Sequence, residues 1–154
     1  FEANAERLLL YARARCGSTA DAEDVLQEAL MDFLHAGTIH DPLPYLYRCI
    51  RSAALDWHRG EHRRSRREDL ARDRREATWF SCSLQGEETR LRVEEALRGL
   101  PEEQREVVVL RVWGERSFPD IAAITGTSED TTRSRYRYAL DRLRGRLTPL
   151  QEAL

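Results

Sequence analysis

The sequence contains no lysine, so all 25 of its basic side chains are arginines. It also lacks any apolar run of about 18 residues, the length that a membrane-spanning helix requires, and we therefore expect no membrane insertion. No basic segment followed by an apolar stretch opens the chain, which disfavours a secreted protein and favours a cytoplasmic one. Because the sequence starts at Phe1 rather than at methionine, we expect further residues to precede it.

The side chains that most metal sites and enzyme centres need are also sparse. Cys16, Cys49 and Cys82 are odd in number and far apart, which is typical of reduced thiols in an intracellular protein. His58 and His62 have the spacing of two zinc ligands on a helix, but they lie among arginines with no third ligand nearby. There is no nucleophile–base pair and no phosphate-binding loop. The sequence thus predicts no metal, no cofactor and no catalytic activity.

The 154-residue chain has a formal charge of only −2, yet its charges are sorted into blocks. The net charge is −4 over residues 1–57, +4 over residues 58–75, −5 over residues 76–129 and +3 over residues 130–154. Such alternation favours separate surfaces for a basic partner and for an anionic one. A charge run can also be a solvated face without a partner, so charge alone leaves both interpretations open.

Helical periodicity dominates the first part of the chain, and no strand pattern appears. A helix is predicted over residues 2–16, and Ser18 or Thr19 is placed to cap the next one. That second helix carries one continuous apolar stripe, made of Ala22, Val25, Leu26, Ala29, Leu30, Phe33 and Leu34. A third helix follows a loop with two prolines, and its predicted buried side consists of Leu43, Leu46, Tyr47, Ile50, Ala54 and Trp57.

The apolar period is lost after residue 60 and returns near Glu87. Residues 61–86 between these points are rich in arginine and predict a linker. We therefore predict an all-α fold with two small helical domains, residues 1–60 and residues 87–154. Pro101 separates the first two helices of the second domain.

Residues 117–144 have the proportions of a helix-turn-helix. Ser117 is placed to cap a short helix, Gly126 makes the turn, and Ser128 is placed to cap a longer helix. Arginine can donate two hydrogen bonds to a guanine edge or bind phosphates, and the hydroxyls of serine and threonine make contacts of shorter reach. A helical hairpin with a solvated arginine face is the alternative. The predicted DNA contacts are Ser128, Thr131, Thr132, Arg133, Ser134, Arg135 and Arg137.

Taken in order, these segments resemble a bacterial extracytoplasmic-function (ECF) sigma factor, a promoter-specificity subunit of RNA polymerase. DAEDVLQEALMDFL is similar to the family's second conserved region, which docks on the clamp coiled coil of core RNA polymerase. YLYRCIRSAALDWHR is similar to the adjoining helix, which meets the −10 promoter element. ALRGLPEEQREVVVLR and SFPDIAAITGTSEDTTRSR resemble the fourth region, which binds the −35 element. The order of these motifs around a linker is far more specific than any single motif.

The resemblance implies a transcription initiation factor that helps to open the promoter and performs no chemistry itself. It implies that core RNA polymerase contacts an acidic ridge made of Asp21, Asp24, Gln27 and Glu28. It implies −10 contacts, where a flipped base of the opened strand can be held, at Tyr45, Arg48, Arg51 and Ser52. The helix-turn-helix would supply the −35 contacts, and an anti-sigma factor is a further implied partner.

Three positions depart from the family pattern. Ser52 stands where asparagine is usual, Asp130 where glycine is frequent, and Tyr138 where a basic residue is common. These differences leave the promoter sequence open. Two other functions also stay open, namely a sigma-like mimic that binds an anti-sigma factor without DNA and a stand-alone helix-turn-helix regulator. The arginine-rich helix disfavours the mimic, and the regulator leaves residues 18–59 without a role.

Overall fold

The computed structural model describes residues 2–16, 18–65, 79 and 86–152, and within these ranges the regular structure is helical with no strand. The predicted all-α fold is therefore confirmed. The chain divides into two compact units, Phe1–Trp79 and Phe80–Leu154, and the boundary falls inside the segment that the sequence predicts as a linker. Most of that segment, with Cys82, lies outside the described residues.

The first unit consists of three helices, α1 (Glu2–Arg15), α2 (Thr19–His35) and α3 (Pro42–Ser65). Each of the three packs against the other two. The rings of Tyr11 and Tyr47 meet edge to face with centroids 5.4 Å apart and join α1 to α3. Both tyrosines are almost completely buried, together with Val25 and Ile50. Tyr47 is thus a core residue, as its place in the predicted stripe indicates.

The apolar stripe predicted for α2 is buried only in its first part. Ala22, Val25 and Ala29 are in the core, whereas Leu34 is 74% exposed. Leu34, at the edge of the stripe, is therefore not a core residue. Periodicity identifies the positions that share a helix face, but tertiary packing decides how much of that face is covered.

One residue of the predicted linker is buried in the structure. Trp79 is assigned to the first unit, and its backbone carbonyl accepts a hydrogen bond from Arg13 Nη1 at 3.4 Å. The sequence around Trp79 has no apolar period, so pattern reasoning gives no signal for this burial. The contact joins the residue to α1, which lies 66 positions earlier in the chain.

The second unit contains α4 (Glu87–Arg98), α5 (Glu102–Val108), α6 (Phe118–Thr125) and α7 (Glu129–Glu152). A π-helical turn, Val109–Trp113, continues α5. The long helix α7 packs against α4, α5 and α6. Side chains from all of these elements meet in the core, with the largest burial at Leu97, Val107, Val108, Leu110, Ile121 and Ala139.

Serine side chains cap three of the helices, as the sequence predicts. The Oγ atoms of Ser18, Ser117 and Ser128 accept hydrogen bonds from the backbone N–H three residues later, at 3.1, 3.2 and 3.1 Å. Each bond satisfies a backbone donor that the first turn of a helix leaves without a partner. The caps therefore fix where α2, α6 and α7 begin, and the last two define the helix-turn-helix.

Burial makes Cys16 a poor nucleophile. Its side chain lies in the core of the first unit, and desolvation, with a smaller contribution from the Asp21 carboxylate, raises the pKa of the thiol to about 12. The reactive thiolate is therefore almost absent at neutral pH. We expect iodoacetamide to modify Cys16 far more slowly in the folded protein than in denaturant at the same pH. Peptide mass spectrometry measures both rates, and equal rates would contradict the burial.

Candidate nucleic-acid and partner interfaces

The first half of α7 has one buried side and one outward side. Thr132 and Ala139 have no exposed surface and mark the buried side. At about 3.6 residues per turn, Ser134, Arg137 and Asp130 lie on the opposite side of the helix. Thr131 and Arg137 are exposed and Ser134 is half-buried, so these predicted DNA contacts lie on or beside the outward side. Tyr138, which the sequence prediction did not include, is also exposed there.

Thr132 has a structural role instead of the predicted DNA contact. Its hydroxyl donates to the Ser128 carbonyl at 3.0 Å and lies 3.1 Å from Thr127 Oγ1. Thr127 Oγ1 is in turn 3.1 Å from Thr125 Oγ1, on the last turn of α6. This chain of hydroxyls joins α6 to α7 across the turn. A fully buried side chain offers no surface to a base, and the polar sequence around Thr132 did not reveal which side of the helix it occupies.

The arginines of α7 differ in their partners. Arg133 forms an ion pair with Glu129, one turn earlier, at 2.7 Å. Arg135 reaches Glu103 on α5 at 3.5 Å. Arg137 has no carboxylate partner among the described residues, and its guanidinium carbon lies 5.3 Å from the centre of the Tyr138 ring. Three basic side chains that look equivalent in sequence therefore have three different surroundings.

Two arginine side chains lie against the ring of Phe118, at the start of α6. The guanidinium carbons of Arg111 and Arg133 lie 4.5 and 4.7 Å from its ring centre, and Tyr136 meets the ring edge to face at 5.4 Å. Cation–π contacts of this kind hold a guanidinium in place while its N–H groups remain able to donate. Arg111, which lies on the π-helical turn, is not among the predicted DNA contacts.

The acidic ridge on α2 is exposed over most of its length. Asp24, Gln27 and Glu28 are exposed. Asp21 is half-buried, and its carboxylate accepts a hydrogen bond from the Ser18 hydroxyl at 2.6 Å. Along the same face, at helical spacing from the acids, follow two exposed apolar side chains, Met31 and Leu34. The docking surface of α2, defined as Asp24, Gln27, Glu28, Met31 and Leu34, thus combines charge with apolar area.

The predicted −10 residues lie along α3. Tyr45, Arg48 and Ser52 recur at intervals of three and four residues and so share one edge of the helix. Arg48 and Ser52 are exposed, and Tyr45 is half-buried with its ring centre 6.3 Å from that of Phe33 on α2. Arg51 is half-buried and flanks this edge. The structure therefore brings three of the four residues together on one surface.

No metal site is formed within the described part of the chain, where no cluster of three or more His, Cys, Asp or Glu side chains is placed to hold an ion. His58, the first residue of the possible zinc pair, bonds through Nε2 to the backbone carbonyl of Arg15 at the end of α1. The side chain of His62 lies outside the described residues. Among the described helices, none has the length and apolar character needed to cross a membrane.

Comparison with known proteins relates each unit to a domain of the transcription machinery. Residues 1–64 match the family Sigma-70 region 2, and residues 90–143 match Sigma-70, region 4. The RNA polymerase sigma-E factor of Streptomyces coelicolor is 30% identical over 146 residues, which cover 92% of this chain and 80% of that protein. The sigma-E factor of Streptomyces avermitilis is 30% identical over 148 residues, covering 92% of this chain and 79% of that protein.

Two solved structures share the fold of this chain. The sigma factor RpoE, in its complex with the anti-sigma factor NepR from Bartonella quintana, gives a TM-score of 0.74 at 24% identity, covering 92% of this chain and 89% of that one. CnrH, in complex with the cytosolic domain of CnrY, gives a TM-score of 0.62 at 25% identity, covering 96% of this chain and 81% of that one. At 24% identity, the similarity to RpoE shows a shared fold alone.

A three-helix unit followed by a capped helix-turn-helix is consistent with a DNA-binding factor of transcription initiation. The family matches and the two Streptomyces relatives make this assignment specific. The chain belongs to the RNA polymerase sigma factors of the ECF class, which direct polymerase to promoters and are transcription factors rather than enzymes. The resemblance found in the sequence is thereby confirmed.

Proposed function

We propose that residues 1–60 dock on core RNA polymerase and capture the −10 element, and that residues 87–154 bind the −35 element, with residues 61–86 as the linker. The protein acts in the cytoplasm, performs no catalysis, assists strand opening and is restrained by an anti-sigma factor. The observation that carries this proposal is the outward side of α7, where exposed Thr131 and Arg137 follow the Ser128 cap of a helix-turn-helix.

The docking surface of α2 supports the proposed contact with core polymerase. Exposed carboxylates at Asp24 and Glu28 steer association with a basic partner and fix its orientation. Exposed Met31 and Leu34 add apolar area, which contributes most of the binding energy when a partner removes it from water. Asp21 is a weaker contact in this proposal, because its carboxylate is engaged by Ser18.

The geometry of the helix-turn-helix supports the proposed −35 contact. In such motifs the second helix lies in the major groove and its N-terminal residues reach the base edges. The hydroxyl chain from Thr125 to Thr132 fixes α7 against α6 and so fixes the angle at which the second helix is presented. Ser128, Thr131, Ser134 and Arg137 are the proposed contacts, with Arg133 and Arg135 beside them and Tyr138 added.

The edge of α3 supports the proposed −10 contact. Single-stranded bases bind to proteins by stacking on aromatic rings and by pairing of their backbone with basic side chains. Tyr45 supplies a ring, Arg48 a cation and Ser52 a hydroxyl along one side of the helix, and Arg51 lies next to them. A base that leaves the duplex can be held there, which couples recognition to strand opening.

One solved neighbour, RpoE, supports an anti-sigma partner, and the other, CnrH, is also seen with a partner protein. RpoE is seen with the anti-sigma factor NepR, and CnrH with the cytosolic domain of CnrY. Both share the fold of this chain over more than nine-tenths of its length. A restraining protein of this kind would compete for surfaces that polymerase also uses.

Run-off transcription with purified core polymerase and a promoter library tests the proposal. We expect promoter-dependent transcripts with the wild-type chain and a loss of about 1–3 kcal/mol in promoter binding for Arg137→Ala, because one arginine–base contact has that magnitude. Arg92→Ala, which removes an exposed arginine from α4, serves as the control. An absence of transcripts on every template would overturn the proposed function, and an unchanged Arg137→Ala would overturn the −35 assignment alone.

A further inference from the structure

The structure pairs two of the three arginines in the first half of α7 and leaves the third without a carboxylate. Glu129 holds Arg133 at 2.7 Å, and Glu103 holds Arg135 at 3.5 Å. Arg137 has no carboxylate partner among the residues that the structure describes. Acids on α7 itself do not account for the pairing of Arg135, because its partner Glu103 lies on another helix, α5.

The position of each arginine around α7 relates its pairing with a carboxylate to the part of DNA that it would face. Arg137 lies opposite the buried Thr132, on the side that a helix-turn-helix turns toward base edges. At about 3.6 residues per turn, Arg133 lies on the near flank of that side, and Arg135 lies on the other flank of the helix, closer to Thr132 and 24% exposed. When a helix enters a groove, its flanks face the phosphates that border the groove. The two arginines suited to phosphate are thus the ones that already have a carboxylate.

We propose that Glu103 and Glu129 occupy the place of DNA phosphates in the free protein and so set the sequence-independent part of its DNA affinity. Phosphate contacts supply most of non-specific binding, whereas base contacts supply sequence preference. A phosphate that binds Arg133 or Arg135 must displace or share a carboxylate, while a base that meets Arg137 displaces none. The factor therefore stays weakly bound to bulk DNA, and its residence on DNA depends on base contacts. This inference rests on the proposed −35 function of α7.

Both ion pairs are weak enough for a DNA phosphate to compete reversibly with the carboxylate. The side chain of Glu103 is 72% exposed and that of Arg135 is 24% exposed, so water screens the pair and exchange with phosphate is inexpensive. Arg133 is additionally held by the Phe118 ring at 4.7 Å, which keeps the guanidinium on the flank when its carboxylate partner is exchanged. Phe118 also makes Glu129 the less informative position for a test, because two contacts hold the same arginine.

Binding of the full-length chain to a fluorescent duplex without promoter sequence, measured over a series of salt concentrations, tests the proposal at Glu103. We expect Glu103→Gln to tighten this binding by roughly two- to fivefold at low salt, the range that one exposed ion pair allows. The slope of log affinity against log salt should steepen by up to about 0.9, the value for one additional phosphate contact. Glu95→Gln removes the same charge from an exposed position on α4 and serves as the matched control.

A double-mutant cycle completes the test. In the Arg135→Ala background, Glu103→Gln should change the affinity no more than Glu95→Gln does, because the arginine that it releases is gone. The proposal is wrong if Glu103→Gln and Glu95→Gln have equal effects in the wild-type background, or if the gain persists without Arg135. If neither wild type nor any variant binds duplex, the −35 function fails and this inference fails with it. If the wild type binds duplex and Glu103→Gln leaves that affinity unchanged, this inference alone is overturned.

Discussion

Replacing both Asp24 and Glu28 by arginine should weaken association with core RNA polymerase by at least about tenfold. The two carboxylates are exposed on one face of α2 and are proposed to meet a basic partner. Reversal places like charges opposite each other, which costs several kcal/mol, and each 1.4 kcal/mol is a factor of ten in affinity. The dissociation constant of the sigma–core complex, measured at physiological salt, checks the prediction.

A second double variant controls for net charge in this experiment. Glu6→Arg with Asp56→Arg makes the same change in charge at exposed positions of α1 and α3, outside the docking surface of α2. It should bind core polymerase nearly as the wild type does. Thermal melting of both variants tests whether the helices remain folded. If the α2 variant binds polymerase as tightly as this control, the acidic ridge is not the docking site.

Replacing Gly114 by alanine should destabilise the second unit by about 1–3 kcal/mol, the usual cost of forcing extra atoms into a filled space. A Cβ at this position would lie 2.7 Å from the carbonyl oxygen of Leu110 and 3.2 Å from its Cα. Both are backbone atoms of the π-helical turn, and neither can swing away as a side chain can. The shift in thermal unfolding midpoint measures the effect.

Gly145→Ala is the control, since this glycine lies within α7 and a Cβ there would meet no atom within 4 Å beyond the helix's own backbone. Alanine has a higher helix propensity than glycine by about 1 kcal/mol, so Gly145→Ala should be neutral or slightly stabilising. A Gly114→Ala protein that unfolds at the wild-type temperature would show that the turn can move away from Leu110.

Helix boundaries and the order of the units follow from local signals, and they could be predicted from the sequence. A serine cap depends on a backbone N–H three residues away, so Ser18, Ser117 and Ser128 could be identified as caps without any knowledge of the fold. The helix-turn-helix follows from two such caps and the turn at Gly126, where the left-handed φ of 70° suits glycine. The family resemblance depends on the same local motifs.

Which side chains can serve the candidate sites was decided by tertiary structure. Packing of α6 against α7 buries Thr132, although it stands among polar neighbours in the sequence. Met31 and Leu34 remain exposed on the face of α2 that carries the acids, although both are large and apolar. Glu103 is 32 positions from Arg135, and their ion pair exists only because α5 lies against α7.

The sequence by itself determined the all-helical fold, its caps and the family, because hydrogen bonds and periodicity within a helix involve residues only a few positions apart. The tertiary structure decided the pairing of Arg135 with Glu103 and which polar residues are buried. Those properties depend on contacts between helices that are distant in sequence, and on how far one helix covers another.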